Sequence, residues 1–163
     1  MLNRAFFRIF ATHNKHNSIE TNQKHRFITM GKSKKRIELE FELNTSSASK
    51  IWTFISDASG LERWMADKVE RHGKKLTFTW GTTYKDKDKK TASITNENKE
   101  KLIRFKWDGD EDPNAYCEMR IETGEITNNC ILCITDFAEE DDIENLKELW
   151  YDNIEMLHQT SGL

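Results

Sequence analysis

The chain has 163 residues and a mass of 19.2 kDa, is 36% apolar and 33% charged, and carries a formal net charge of −3. At this size about 70% of the unfolded chain's surface is buried on folding, enough for one self-sufficient core and too little for two ordinary domains. Five Trp, nine Phe and three Tyr exclude wholesale disorder despite a mean hydropathy of −0.80, and no run of 18 apolar residues offers a transmembrane helix.

Residues 1–30 differ from the rest. Leu2, Ala5, Phe6, Ile9 and Phe10 fall on one helical face, but Arg4 and Arg8 interrupt the apolar stretch that a secretory signal needs. Residues 1–33 are expected to form a disordered extension, with Met30 as an alternative start, and 34–160 the single domain. A chain beginning at Met30 should keep its melting temperature within a few degrees. A collapse of stability would show that Phe6, Ile9 and Phe10 dock on the domain.

From Arg36 the period is two. Ile37, Leu39, Phe41 and Leu43 alternate with Glu38, Glu40 and Glu42, which predicts a strand with one buried and one solvated face. Asn44 to Ser47 supply N-cap candidates for a helix carrying Ala48, Ile51, Trp52 and Ile55. Asp57 to Gly60 break it, and a second short helix is expected to carry Leu61, Trp64 and Met65. Short strands follow. Leu76, Phe78 and Trp80 share a face, a weaker strand holds Ala92 and Ile94, and Ile103, Phe105 and Trp107 alternate with polar neighbours. Cys117, Met119 and Ile121, then Ile131, Cys133, Thr135 and Phe137 after an Asn128-Asn129 turn, complete an antiparallel meander. Residues 140–160 predict a long helix with the stripe Ile143, Leu146, Trp150, Ile154 and Leu157.

Charge is segregated. Residues 31–107 hold 18 Lys and Arg against 11 acids, whereas 108–163 hold two against 16. The basic residues are scattered and no nucleic-acid-binding motif accompanies them, so complementarity within one domain is the reading and no nucleic-acid partner is expected. The run from Lys85 to Lys90, with Asp86 and Asp88 interspersed, reads as a solvated hairpin turn. Cys117, Cys130 and Cys133, an odd number without a secretory signal, fit a reducing, cytoplasmic setting. Cys130 and Cys133 lie three apart in an alternating strand and point to opposite faces, so neither a disulfide nor a shared metal is expected. Asp108, Asp110, Glu111 and Asp112 read as a solvated loop fixed by Pro113, which stands where a calcium loop needs glycine. His72 and His158 have no nucleophile placed beside them. No catalytic residue, metal or cofactor is therefore assigned.

The element order, with Trp52 to Asp57 followed by Gly60-Leu61-Glu62-Arg63-Trp64, resembles the START-like superfamily, also called Bet v 1-like, SRPBCC or helix-grip. Phe78 to Gly81, Phe105 to Trp107, Asp110 to Asn114 and Ile134 to Glu139 are similar to its short bacterial members, grouped with the homologues of the activator of Hsp90 ATPase. This chain departs from them at His72-Gly73, where many members have Gly-Gly, and in its short charged hairpin after Gly81. The resemblance implies an α+β helix-grip fold: an antiparallel sheet of six or seven strands wrapped on the C-terminal helix, in the order β-α-α-β(5–6)-α. It also implies a site between the two. Alternation points Phe78, Trp80, Phe105, Trp107, Met119, Trp150, Ile154 and Leu157 there, and Trp64 joins them. These side chains either fill a core or line a cavity for a small apolar or amphipathic ligand. Regulation of an Hsp90-type chaperone ATPase is the alternative, ahead of a cyclase or hydrolase acting in the cavity, which would need polar groups among the inward residues. A monomer or weak homodimer without stable membrane insertion is expected.

Overall fold

The computed structural model describes residues 33–81 and 87–163. The N-terminal helical face and the tip of the charged hairpin lie outside them. Strand β1 (Lys35–Glu42) leads to helices α1 (Ala48–Ser56) and α2 (Ala58–Leu61). Strands β2 (Lys68–His72), β3 (Lys75–Trp80), β4 (Asp88–Asn98), β5 (Leu102–Trp107), β6 (Cys117–Thr123) and β7 (Cys130–Ala138) follow, and α3 (Ile143–Ser161) ends the fold. The strands form one sheet in the order β1-β7-β6-β5-β4-β3-β2, antiparallel throughout. This is the expected helix-grip α+β architecture. β1 closes the sheet by pairing with the last strand, Ile37 opposite Asp136 and Leu39 opposite Ile134.

Residues directly opposite in a ladder share a face, so the register defines the inward surface. One row runs Val69, Phe78, Lys90; the next Leu76, Ala92, Trp107; another Ile94, Phe105, Cys117; and a fourth Ile103, Met119, Ile134, Leu39. A bulge between Ile94 and Asn96 bends β4 against β5, which curves the sheet around the helix. β2 was not legible as a strand because Val69 is the one apolar residue in its span, which is enough at a sheet edge.

The helical pair differs from the sequence expectation. Ser47 caps α1 by accepting from the Lys50 N–H, but α2 stops at Leu61, short of Trp64 and Met65. The chain there tightens into bonds three residues apart, from Arg63 to Gly60 and from Trp64 to Leu61. That turn drops Trp64 into the core, where its Nε1 donates to the Phe54 carbonyl at 3.0 Å. Gly60 permits the contact between α1 and α2: a Cβ at this position would stand 1.9 Å from the Thr53 carbonyl oxygen. Gly60→Ala should therefore force the two helices apart and destabilise by about 1–3 kcal/mol, the usual range for overpacking. Urea unfolding measures this, and a neutral result would mean that the crossing is loose.

α3 begins after a 3₁₀ turn at Glu140–Asp142, whose acids favour the positive end of the helix dipole. It ends at Gly162, which takes the left-handed conformation (φ 67°) while its N–H caps the His158 carbonyl. Leu146, Leu149, Trp150, Ile154 and Leu157 are buried as the stripe predicted, and Asn153, unexpectedly, is buried among them.

Candidate functional site

The aromatic residues of β3 and β5 form one cluster on the inward face. Phe78 stacks on Trp80 at 5.9 Å and meets Phe105 at 5.9 Å. Trp107 sits at the junction, 5.2 Å from Phe78, 5.4 Å from Phe105 and 6.4 Å from Trp80. Phe78, Phe105, Met119 and Leu157 are fully buried, and Trp64, Trp150, Trp80 and Ile154 nearly so. Trp107 is half-buried, with Lys90 Nζ over its ring. The nine residues chosen from sequence thus divide. Phe78, Trp80, Phe105 and Trp107 make one aromatic wall. Trp64 and Trp150 pair at 6.3 Å beneath α3, and Met119, Ile154 and Leu157 belong to the packed centre.

The indole N–H groups are anchored. Trp80 Nε1 donates to the Met65 carbonyl at 2.8 Å, which ties the wall to the turn after α2. Trp150 Nε1 donates to Asp136 Oδ2 at 3.0 Å, linking α3 to β7. Asp136 is buried, and desolvation pushes its pKa up to about 6, against the opposing pull of the Phe137 N–H, the Trp150 N–H and the Lys34 charge.

Polar groups do enter the inward face, contrary to the sequence expectation that it holds almost none. Asp136, Lys90 and Asp88, which stands opposite Trp80, are among them. Lys90 is not part of a solvated turn: it lies within β4, opposite Phe78, with Nζ 5.6 Å from the Trp107 ring centroid. Burial, then the like charge of Lys34, lowers its pKa to about 8, while Asp88, Asp110 and Asp136 pull the other way. The signal was available in the register, because Lys90 shares its parity with Ala92 and Ile94. The surrounding run of charges masked it.

The acidic loop is also less solvated than expected. Asp112 is buried, accepting from the backbone N–H of Lys34 at 2.9 Å and of Asn114 at 2.8 Å, and these bonds hold its carboxyl below the usual range. Lys34 Nζ donates to Asp110 Oδ2 at 2.6 Å. The residues just before β1 thereby clamp the β5–β6 loop at the same end of the sheet as Lys90 and Asp136.

Chemically this end can bind an apolar body against indole rings and present an ammonium beside it. The thiols among the described residues are poor nucleophiles. Cys117, Cys130 and Cys133 are buried free thiols whose pKa values burial raises, which disfavours the thiolate. Cys130 shares the inward parity of Leu132, while Cys133 faces outward opposite Glu40 and Arg120. No group of three or more His, Cys, Asp or Glu among the described residues could hold a metal ion, and no helix among them is long and apolar enough to cross a membrane.

The geometry agrees with comparisons to known proteins. A Bacteroides fragilis protein, BfR322, is 39% identical over 78% of this chain and 90% of its own, with a TM-score of 0.54. The Aha1 dimer of Colwellia psychrerythraea (TM-score 0.60, 15% identity, 77% of this chain and 96% of that one) shares the fold. So does an AHSA1-like protein of Aeromonas hydrophila (TM-score 0.63, 11% identity, 77% and 91%). No curated protein matches. The family model of the START-like superfamily domain matches residues 30–163. The chain belongs to the START-like superfamily.

Proposed function

We propose that this START-like domain binds a small apolar or amphipathic ligand between the inward face of the sheet and α3, seated on the aromatic wall. One observation carries the reading: Trp107 is only half-buried at the centre of a cluster whose other rings are buried, so part of an indole remains accessible beside Lys90 Nζ, which lies 5.6 Å from the ring centroid. Rigid aromatic surface gives large contact area at low entropic cost. Phe78 and Phe105 form the floor behind it.

The test is native mass spectrometry of the protein purified from its own host, together with titration of a naphthalene-based fluorescent probe. A co-purifying adduct, or saturable probe binding weakened by Trp107→Ala, is the expected result. A bare mass with no probe bound would end the ligand reading. Regulation of a chaperone ATPase, which the sequence resemblance implies, would instead be carried by the surface. At 15% and 11% identity the Aha1 and AHSA1-like neighbours share only the fold. A pull-down against the host's Hsp90 with an ATPase assay separates the two.

A further inference from the structure

We infer that β1 is the contact strand of a two-fold dimer, pairing antiparallel with β1 of a second copy to make one continuous sheet. The inference is independent of the ligand site. β1 lies at one edge of the sheet and runs eight residues beside β7 without a bulge or a proline. The Leu43 N–H bonds the Cys130 carbonyl, one step beyond the Glu42–Ile131 pair, so the odd-numbered residues of β1 spend their backbone groups on β7. Arg36, Glu38, Glu40 and Glu42 therefore direct their N–H and C=O groups to the open side, where no strand pairs with them among the described residues. A long edge without a bulge is a template for another strand. The opposite edge is shorter and partly closed: β2 has five residues, and the Val69 N–H donates to Glu62 Oε2 at 3.1 Å.

The edge is complementary to itself, which selects a second copy as its occupant. Its outer row begins with a base and continues with acids, Arg36 then Glu38, Glu40 and Glu42, all exposed. An antiparallel partner must bring an acid opposite Arg36 and a base opposite Glu40. β1 does both when a two-fold axis passes at Glu38. Arg36 then faces Glu40 of the second copy, and the same pair recurs on the other side of the axis. The two Glu38 side chains meet on the axis, each beside its own Arg36, whose guanidinium already donates to it at 2.5 Å. An axis at Leu39 would instead set Glu38 against Glu40 twice. On the inward face the same pairing places Ile37 opposite Leu39. Leu39 and Phe41 are only half-buried, and Tyr151 of α3, edge-on to Phe41 at 5.5 Å, is 57% exposed. A second β1 covers the apolar margin that Leu39 and Phe41 form at this edge.

Sedimentation velocity of the full chain over a concentration series measures the dimer directly. Wild type should show a reversible monomer–dimer equilibrium that weakens with salt, since the Arg36–Glu40 pairs lie on the solvated face. Arg36→Glu should raise the dissociation constant about ten-fold or more, because the two-fold makes every change twice. Adding Glu40→Arg to that variant should restore the dimer, as the exchanged charges face each other again. Glu38→Pro should remove the dimer and leave the monomer folded, because proline deletes an N–H that points to the open side and none that β7 uses. Circular dichroism and the melting temperature check that fold, and if Glu38→Pro does not fold, the charge exchange still decides. A full chain that stays monomeric up to about 1 mM overturns the proposal. So does a dimer that Arg36→Glu leaves unchanged, or one that the double exchange fails to restore, since the contact would then lie elsewhere or in another register. These outcomes leave the ligand reading untouched.

Discussion

Trp150→Ala should cost about 3–5 kcal/mol of unfolding free energy, the range for removing a buried aromatic ring. Trp150 is 2% exposed, its ring lies 6.3 Å from that of Trp64, and its Nε1 holds Asp136 Oδ2 at 3.0 Å. Truncation opens a void between α3 and the sheet and strips Asp136 Oδ2 of its indole donor, leaving the Phe137 N–H on Oδ1, and both effects act in the same direction. Urea unfolding with an unchanged slope gives the number. Trp150→Phe separates the two contributions, since it keeps most of the packing and loses only the N–H. A loss below about 2 kcal/mol for Trp150→Ala would mean that the ring borders open space, and the ligand site would then extend beneath α3.

Asp136 should make the protein less stable as pH rises. Its folded pKa of about 6 lies above the ordinary 3.8 because burial penalises the carboxylate. Below the lower value both folded and unfolded chains carry the proton. Between the two values the folded chain keeps a proton that the unfolded chain has released, so each step up in pH disfavours folding. Above the higher value both are ionised and the full penalty is in place. The difference corresponds to about 3 kcal/mol, lost between about pH 4 and about pH 7. Other carboxylates also make stability depend on pH, Asp108 for one, held down to about 2 first by its bond to Lys75 and then by Thr91, which places its effect just below this window. The comparison is therefore with Asp136→Asn, which keeps the shape without the charge. The stability of wild type relative to Asp136→Asn should fall by that amount across the window. A pH-independent difference would show that Asp136 ionises as readily in the folded chain as in the unfolded one.

The features read correctly from sequence are those that repeat over a few residues. The alternation of Ile37, Leu39 and Phe41 with glutamates marks β1 and its buried face. The Trp150, Ile154, Leu157 stripe marks α3, and Gly162 its end. Phe78, Trp80, Phe105 and Trp107 were recognised as inward-pointing, and the ladder pairs them on one face. The misses share a different character. Lys90 looked solvated because its neighbours in the chain are charged, yet its neighbours in space are Phe78 and Trp107. Asp136 was passed over because an acid in an apolar strand carries no sign of the tryptophan 14 positions later that binds it. The loop at Asp110 and Asp112 looked free because the residue that clamps it, Lys34, is 76 to 78 positions away.

By itself, the sequence determined the order of the elements other than β2 and the facing of most strands, because periods of two and of about 3.6 are local properties of strand and helix, and the resemblance of its motifs added the helix-grip class. The tertiary structure decided which polar side chains enter the inward face, where α2 ends and which ring of the wall stays only half-buried. Those outcomes depend on strand register and on contacts between residues far apart in the chain. A single-residue slip in pairing would send Lys90 to the outer face and leave its local sequence unchanged.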